Sequence, residues 1–401
     1  MSRTDFDVLI CGGGVAGATL AALLADRELR VALVDVRRPV IELPTDDFDP
    51  RVVAISPGSR QILAAARAWQ RLPQDRLGPY PRMQVCAGGQ SVEFRASEHG
   101  LEQLGWIIEI PAMLKVLWQG LEQQGLVSLL APARIREFES GHERVRITLD
   151  DGQVLRAGLL VAADGARSHL RRLAGIAVDQ WHYNQKAMVT HIRTEQRNDG
   201  LAWQRFTPHG PLALLPLADG RSSIVWSLPA QLADQWLADD EAGFLDHLNE
   251  HQDSPFGPAI ACSSRHGLEL VRRKARRLVQ GRLVLLGDAA RTVHPLAGQG
   301  LNLGLADAAA LAELLIDKQS IKAPDPALAR YQRWRLSTSE LIGGGIHAIN
   351  EIAHGPGGAG KGLLGLGFAA AARLWPLREA FVMRACGLDS DSPRLARSAS
   401  H

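Results

Sequence analysis

The chain lacks most of the features that would mark a compartment, a metal or a charged partner. Its four cysteines, Cys11, Cys86, Cys262 and Cys386, form no Cys-x-x-Cys pair and no zinc-ligand spacing, which points to reduced thiols in a cytoplasmic protein and to no metal site. A net charge of +2 gives no whole-chain case for binding nucleic acid. No apolar run reaches the ~18 residues of a spanning helix. The nearest, "GLLGLGFAAAARLWPL", is broken by Arg373 and Pro376. The opening "MSRTDFDVLICGGG" has neither the charged start, the long apolar core nor the small-residue cleavage site of an export signal. There is no internal repeat, and no Ser/His/Asp or Cys/His set announces nucleophilic catalysis. A soluble protein remains, or one that lies on a membrane without crossing it.

What is present is enough apolar residue for a large core: 401 residues, 46% hydrophobic and 22% charged, more than one core usually holds. "DFDVLICGGGVAGATLAALLADRELRVALVDVRR" reads as strand, glycine turn, helix and strand, a βαβ unit. Two helices follow, one begun at Ser56 or Pro57 and one running from Pro111 to Gly125, with "RMQVCAGGQSVEFRA" between them as a hairpin of a different sheet. "RVRITLDDGQVLRA" is a hairpin with an Asp-Gly turn, leading into the apolar strand of "GLLVAADGA". Four strand-like segments between Lys186 and Pro229, then a helical stretch around 231–250, suggest a second, antiparallel layer. "GRLVLLGDAA" returns to a buried parallel-type strand, and the remainder is helical. The expected fold is α/β: a Rossmann-like nucleotide domain with an inserted antiparallel β-sheet domain and a helical C-terminus. The expected boundaries are 1–75, 100–178 and 280–345 for the first domain, 76–99 and 179–279 for the second, and 346–401 for the C-terminal region.

Gly12-x-Gly14-x-x-Gly17 sits between a strand and a helix, the context in which this pattern binds a dinucleotide. Gly12 permits the turn, Gly14 leaves room for a pyrophosphate, and Gly17 lets the helix pack on the sheet while its first N–H groups, at Val15 and Ala16, face the phosphates. Asp35 lies about twenty residues on, where a carboxylate accepts hydrogen bonds from an adenosine ribose. That acid disfavours a 2′-phosphate despite Arg37 and Arg38. Two distant strand ends repeat an aspartate theme, Asp164 with Gly165 and Asp288 with Gly287. A lone aspartate there is more often a helix cap, and Asp288 has the helix of "GQGLNLGLADAAALAELL" to cap. A flavin-bearing dinucleotide uses the same residues differently. Its ribityl hydroxyls want a carboxylate, and the ring edge that gains electrons wants positive potential. Asp288 offers the first. The Pro295, Gly298 and Gly300 loop and the helix after it offer the second.

The set "GGGVAG", "RVVAIS", "VAADGARS" and "LLGDAARTVHPLAGQGLNLG", in this order, resembles the FAD-dependent aromatic hydroxylases of the para-hydroxybenzoate hydroxylase fold, and among them the ubiquinone-biosynthesis ring hydroxylases. "WQRFTPHGPLALLPLADGRSSIVWSL" is similar to that subgroup as well. The resemblance spans about residues 5 to 345. It implies FAD as cofactor, NAD(P)H as electron donor, and O2 captured as a C4a-hydroperoxide that passes one oxygen to a lipophilic phenol. It further implies that Gly12, Gly14, Gly17 and Asp35 bind the ADP half and that Arg51 lies near the phosphates or ribityl chain. Asp164 then lies by the pyrophosphate, Asp288 on the ribityl chain, and Pro295, Gly298, Gly300 and Asn302 around the ring. The chain departs from the subgroup at Arg291, where a histidine is usual, and at Ile110 beside the retained Glu109.

Two alternatives stay open: a hydroxylase of a soluble aromatic acid, and a non-catalytic FAD-binding subunit of a quinone-synthesis complex. A homo-oligomer, and a position peripheral to the inner membrane, also fit the sequence. His294 is the one candidate base, set against a role in holding its own loop. "GPGGAGKG" at 355–362 nearly spells a P-loop but has Gly362 where that motif needs Ser or Thr, and reads as a loop. "RRKARR" reads as a solvated face, with anionic lipid as its other reading. Trp203, Phe206 and Trp226 read as core aromatics, or as the wall of an apolar pocket.

Overall fold

A computed structural model describes residues 5–39, 42–44, 47–293, 298–354 and 375–397, without the side chains of 339, 341–354 and 375–377. The first sheet is built on five parallel strands in the order Leu283–Leu285, Val154–Ala162, Asp5–Cys11, Val31–Val34 and Val127–Leu130. Strands covered on both faces lose the alternation of apolar and polar residues, and Val31–Val34 is buried throughout. Val145–Leu149 and Ile135–Ser140 extend this sheet as antiparallel strands.

Register does the work that matters for function. Cys11 is level with Val34 on one side and Ala162 on the other, and Ala162 with Leu285. The residues that follow these four, Gly12, Asp35, Ala163 and Leu286, therefore emerge along one sheet edge, the carboxyl ends of the strands, where α/β sheets bind ligands.

The second sheet has nine strands. Its centre is Val178–Thr194, paired antiparallel with Ser222–Pro229 and His266–Ala275. Beyond Ser222–Pro229 come Pro211–Pro216 and Leu201–Phe206, and the hairpin of Arg82–Ala87 and Gln90–Arg95 joins parallel to Leu201–Phe206. Alternation divides the faces. Trp203, Leu212, Leu214, Ile224 and Trp226 pack on one side with Ala233, Trp236, Phe244 and Leu248, from the helices Ala230–Ala238 and Glu241–His251. Trp203 and Trp226 are thus core, and Phe206 belongs to a separate core cluster with Phe94 and Val382.

Two expectations change in detail. Val178–Thr194 starts eight residues before the strand-like segment at Lys186, because a left-handed Asn184 (φ 52°) and a register shift between His182 and Lys186 carry it through a polar stretch with no alternation to betray it. The helical stretch around 231–250 is two helices, the second capped by Asp240, which accepts from Gly243 N–H at 2.8 Å. The 355–362 segment lies outside the described residues.

Candidate cofactor and substrate site

The glycine turn is a steric requirement at two positions and an opening at the third. A Cβ on Gly12 (φ 108°) would lie 2.2 Å from Ala163 O, and one on Gly17 2.0 Å from Gly12 O. One on Gly14 would meet nothing within 4 Å. No side chain caps the Val15–Ala25 helix, so its first N–H groups point outward unsatisfied, the arrangement that receives an anion. Asp35 holds the turn from beneath, accepting from Gly13 N–H at 2.6 Å and from Arg37 N–H at 3.0 Å. The Trp118 indole N–H donates to Gly13 O at 2.8 Å.

The second strand end is fixed by a buried ion network that the sequence did not announce. Asp307, on the helix Gln299–Leu314, accepts from Gly287 N–H with one carboxylate oxygen (3.1 Å) and from Arg291 (2.6 Å) and Arg335 (2.5 Å) with the other. Asp307 is fully buried, and Arg335 and Arg291 nearly so. Burial works against its ionisation, but the two guanidiniums outweigh it and hold its carboxyl below the usual range. The signal available beforehand was an aspartate inside the otherwise apolar helix "LNLGLADAAALAELL".

Asp288 follows, and it is not a helix cap. The Gln299–Leu314 helix begins after Gly298 (φ 60°) with no side-chain cap. The Asp288 carboxylate forms no hydrogen bond with another described residue. It lies deep among protein atoms yet is exposed, because what it faces is a cavity. Burial raises its pKa, with Arg291 and Arg273 pulling it back down.

That cavity, of about 570 Å³, runs between the two sheets. Gly14, Val15, Ala16, Gly17, Gly287, Asp288, Gly298, Gly300 and Asn302 line one end. Asn302 is itself a tie: its Oδ1 accepts from Ser56 N–H (3.0 Å), and its Nδ2 donates to Ala54 O (2.8 Å) and Gly298 O (3.0 Å). The other end is the free face of the second sheet, with Met83, Ala202, Ala213, Leu215 and Val225 and the polar side chains Gln204 and Ser227, joined by Tyr80 from the short strand Gly78–Tyr80 of a separate three-stranded sheet. Among the described lining residues Asp288 is the sole acidic or basic side chain; no Lys, Arg or His is present.

The remaining candidates have other partners. Arg51 forms a two-pronged pair with Asp49 (2.9 and 2.8 Å). Asp164 accepts from His169 N–H (2.7 Å) and Leu170 N–H (3.2 Å) at a helix start, leaving its Oδ1 buried without a partner. Glu109, fully buried, pairs with Arg76 and accepts from Asp49 N–H at 2.6 Å. Arg272 of the basic run stacks over Trp181 at 4.6 Å, and Arg276 pairs with Asp179 at 2.8 Å. His294 and Pro295 lie outside the described residues. The donor set suits a flavin dinucleotide on the structure's own terms: two uncapped helix starts and one unpartnered carboxylate open on a single cavity, with glycines where a cofactor must approach backbone.

Fold and site together define a dinucleotide-binding protein whose cavity continues onto the free face of the second sheet. The chain belongs to the FAD binding domain family, which matches residues 5–342, and FAD is its cofactor. It is 34% identical over 354 residues to 3-demethoxyubiquinol 3-hydroxylase of Escherichia coli, covering 86% of this chain and 89% of that protein. It is 34% identical over 411 residues to ubiquinone hydroxylase of Rhodospirillum rubrum, covering 98% and 92%. Among solved structures, p-nitrophenol 4-monooxygenase of Pseudomonas putida superposes with a TM-score of 0.78 at 19% identity, over 96% of this chain and 100% of that one. A Klebsiella pneumoniae protein solved with FAD and uric acid superposes with 0.75 at 18% identity, over 97% and 98%. These last two share the fold.

Proposed function

We propose that this protein is an FAD-dependent monooxygenase that hydroxylates the aromatic ring of a polyprenylated phenol in ubiquinone biosynthesis. The observation that carries the reading is the make-up of the cavity: a nucleotide-type end joined to an apolar sheet face on which no cation is found among the described residues. An ionised aromatic acid would meet no counter-ion there among the described residues, a burial that costs several kcal/mol. A neutral phenol bearing a hydrocarbon tail would not. Relatives named as ubiquinone hydroxylases agree with that preference.

In this reading the turn from Gly12 to Gly17 and the Val15 and Ala16 N–H groups hold the pyrophosphate, and Asp35 accepts from the adenosine ribose. Asp288 accepts from the ribityl hydroxyls. Gly298, Gly300 and Asn302 would border the flavin ring, and the helix start at Gly298 favours negative charge on the ring edge. Arg51 and Asp164 act near the phosphates through the loops they brace. Bound flavin supplies hydride acceptance from NAD(P)H and activation of O2. The chain excludes water with Met83, Ala213, Leu215 and Val225 and orients the phenol hydroxyl with Gln204, Ser227 or Tyr80. The discontinuous division into 1–75, 100–178 and 280–345 against 76–99 and 179–279, with 346–401 apart, follows the same roles. No helix among the described residues is long and apolar enough to cross a membrane; a cytoplasmic enzyme lying peripheral to the inner membrane would meet a lipophilic substrate there.

Rapid-mixing reduction by NADH and NADPH, with and without a neutral prenylated phenol or an aromatic acid, tests the proposal. Faster flavin reduction with the prenylated phenol is expected. Stimulation by the acid alone would establish a soluble-acid hydroxylase instead, and no stimulation by either would leave a non-catalytic flavoprotein subunit.

A further inference from the structure

We propose that the helix Trp375–Ala385 is the specificity wall of the substrate end, and that the isoprenoid tail of the substrate leaves the cavity at Phe381. This deepens the functional reading above and rests on it. The helix lies beyond the 5–342 family match, yet it contributes Phe381, Val382 and Ala385 to the cavity lining, followed by Cys386.

Exposure along this wall is uneven. Val382 and Cys386 are 4% and 3% exposed, whereas Phe381 is 55% exposed. Of the described lining residues, the others that are exposed are Gly14 and Asp288, at the nucleotide end. Phe381 is therefore where the apolar end meets the surface. Its ring rests on Phe94 with centroids 6.0 Å apart, and Arg378 lies 5.3 Å from the Phe94 ring centre.

The wall is tied down on two sides. Gly58 N–H donates to Cys386 O (2.8 Å), Gln299 Nε2 to Ala385 O (3.3 Å), and Arg378 to Glu93 O (2.6 Å) and to Glu98 (2.7 Å). His99 contacts Glu379. Both the first-sheet region and the second-sheet hairpin thus fix its position.

Volume supplies the other half of the argument. About 570 Å³ must accept the flavin ring and the phenol head, and pockets of roughly 300–1,000 Å³ are filled by one drug-sized ligand. A tail of several isoprene units has to leave. At Phe381 it finds an aromatic side chain already paying the cost of contact with water, which the tail would relieve.

Steady-state kinetics on the flavin-loaded enzyme test this, using two phenols with the same head, one carrying a single isoprene unit and one carrying several. Phe381→Glu is expected to raise KM for the long-tailed phenol at least tenfold more than for the short one, and Phe381→Leu to restore the wild-type ratio. Phe381 is half-exposed, but its ring rests on the core residue Phe94, so the melting curve and the visible spectrum of bound flavin check the fold of each variant. Equal effects on both phenols, or none, overturn the exit at Phe381 while the function stands. A wild-type enzyme that turns over neither phenol overturns the functional reading and this assignment with it.

Discussion

The carboxylate of Asp307 and the backbone N–H of Gly287 are joined by a 3.1 Å hydrogen bond across twenty residues of chain. Through it, the helix that follows the Asp288 turn reaches back and holds that turn in place. The same carboxylate pairs with the guanidiniums of both Arg291 and Arg335, so the position of Asp288 depends on a buried charge balance. Arg291, one of the residues at which this chain departs from the subgroup it resembles, is part of that balance.

Asp307→Asn keeps the shape and removes the charge. Two buried guanidiniums then lose the carboxylate they share, a change that costs ~3–5 kcal/mol. The denaturation midpoint of flavin-free protein should fall accordingly, and flavin should dissociate faster. An unaltered midpoint with normal flavin content would show that the network is not what holds the turn.

Asp288 predicts a trade between stability and binding. Its folded pKa is raised, so between the unfolded pKa of ~3.9 and the higher folded value the native state binds a proton that the unfolded state has lost. Stability therefore falls as pH rises through this window. Asp288→Asn should melt higher than wild type at pH 7 when both are flavin-free, the difference vanishing below about pH 4. The same variant should hold flavin weakly, and Asp288→Ala should purify colourless. Flavin-free melting curves that coincide at pH 7 would remove the argument.

Two glycines of one turn should respond differently to the same methyl group. Gly17→Ala places a Cβ 2.0 Å from Gly12 O and should destabilise the flavin-free protein by ~1–3 kcal/mol. Gly14→Ala has open space around it, so the flavin-free melt should be preserved while FAD affinity drops. Identical behaviour of the two variants in calorimetry and flavin titration would contradict the turn's proposed division of labour.

Asp35→Ala should lower FAD affinity by ~1–3 kcal/mol through the ribose, and it should do more. The Gly13 N–H loses its acceptor at 2.6 Å, so the flavin-free protein should also lose stability. Weakened binding with an unchanged flavin-free melt would confine Asp35 to the ribose alone.

Short-range sterics and periodicity made much of this protein legible before any tertiary contact was known. A glycine spacing between a strand and a helix, an Asp-Gly hairpin turn and alternation along the second sheet are local, because φ restrictions and two-residue strand repeats act within a few residues. The polar first half of Val178–Thr194 escaped for the same reason: its pairing with His266–Ala275 comes from residues some ninety positions away, and nothing in its own pattern requires it.

The amino-acid order by itself determined the glycine turn, the strand ends carrying Asp35, Asp164 and Asp288, and the existence of a second sheet. Tertiary structure alone decided that Asp164 spends one oxygen on a helix start, that Arg51 turns to Asp49, that Asp307 holds Gly287, and that the helix Trp375–Ala385 lines the cavity with Phe381. Those are outcomes of strand register and of packing between segments far apart in the chain, where the free energy of a contact depends on what else has already been buried beside it.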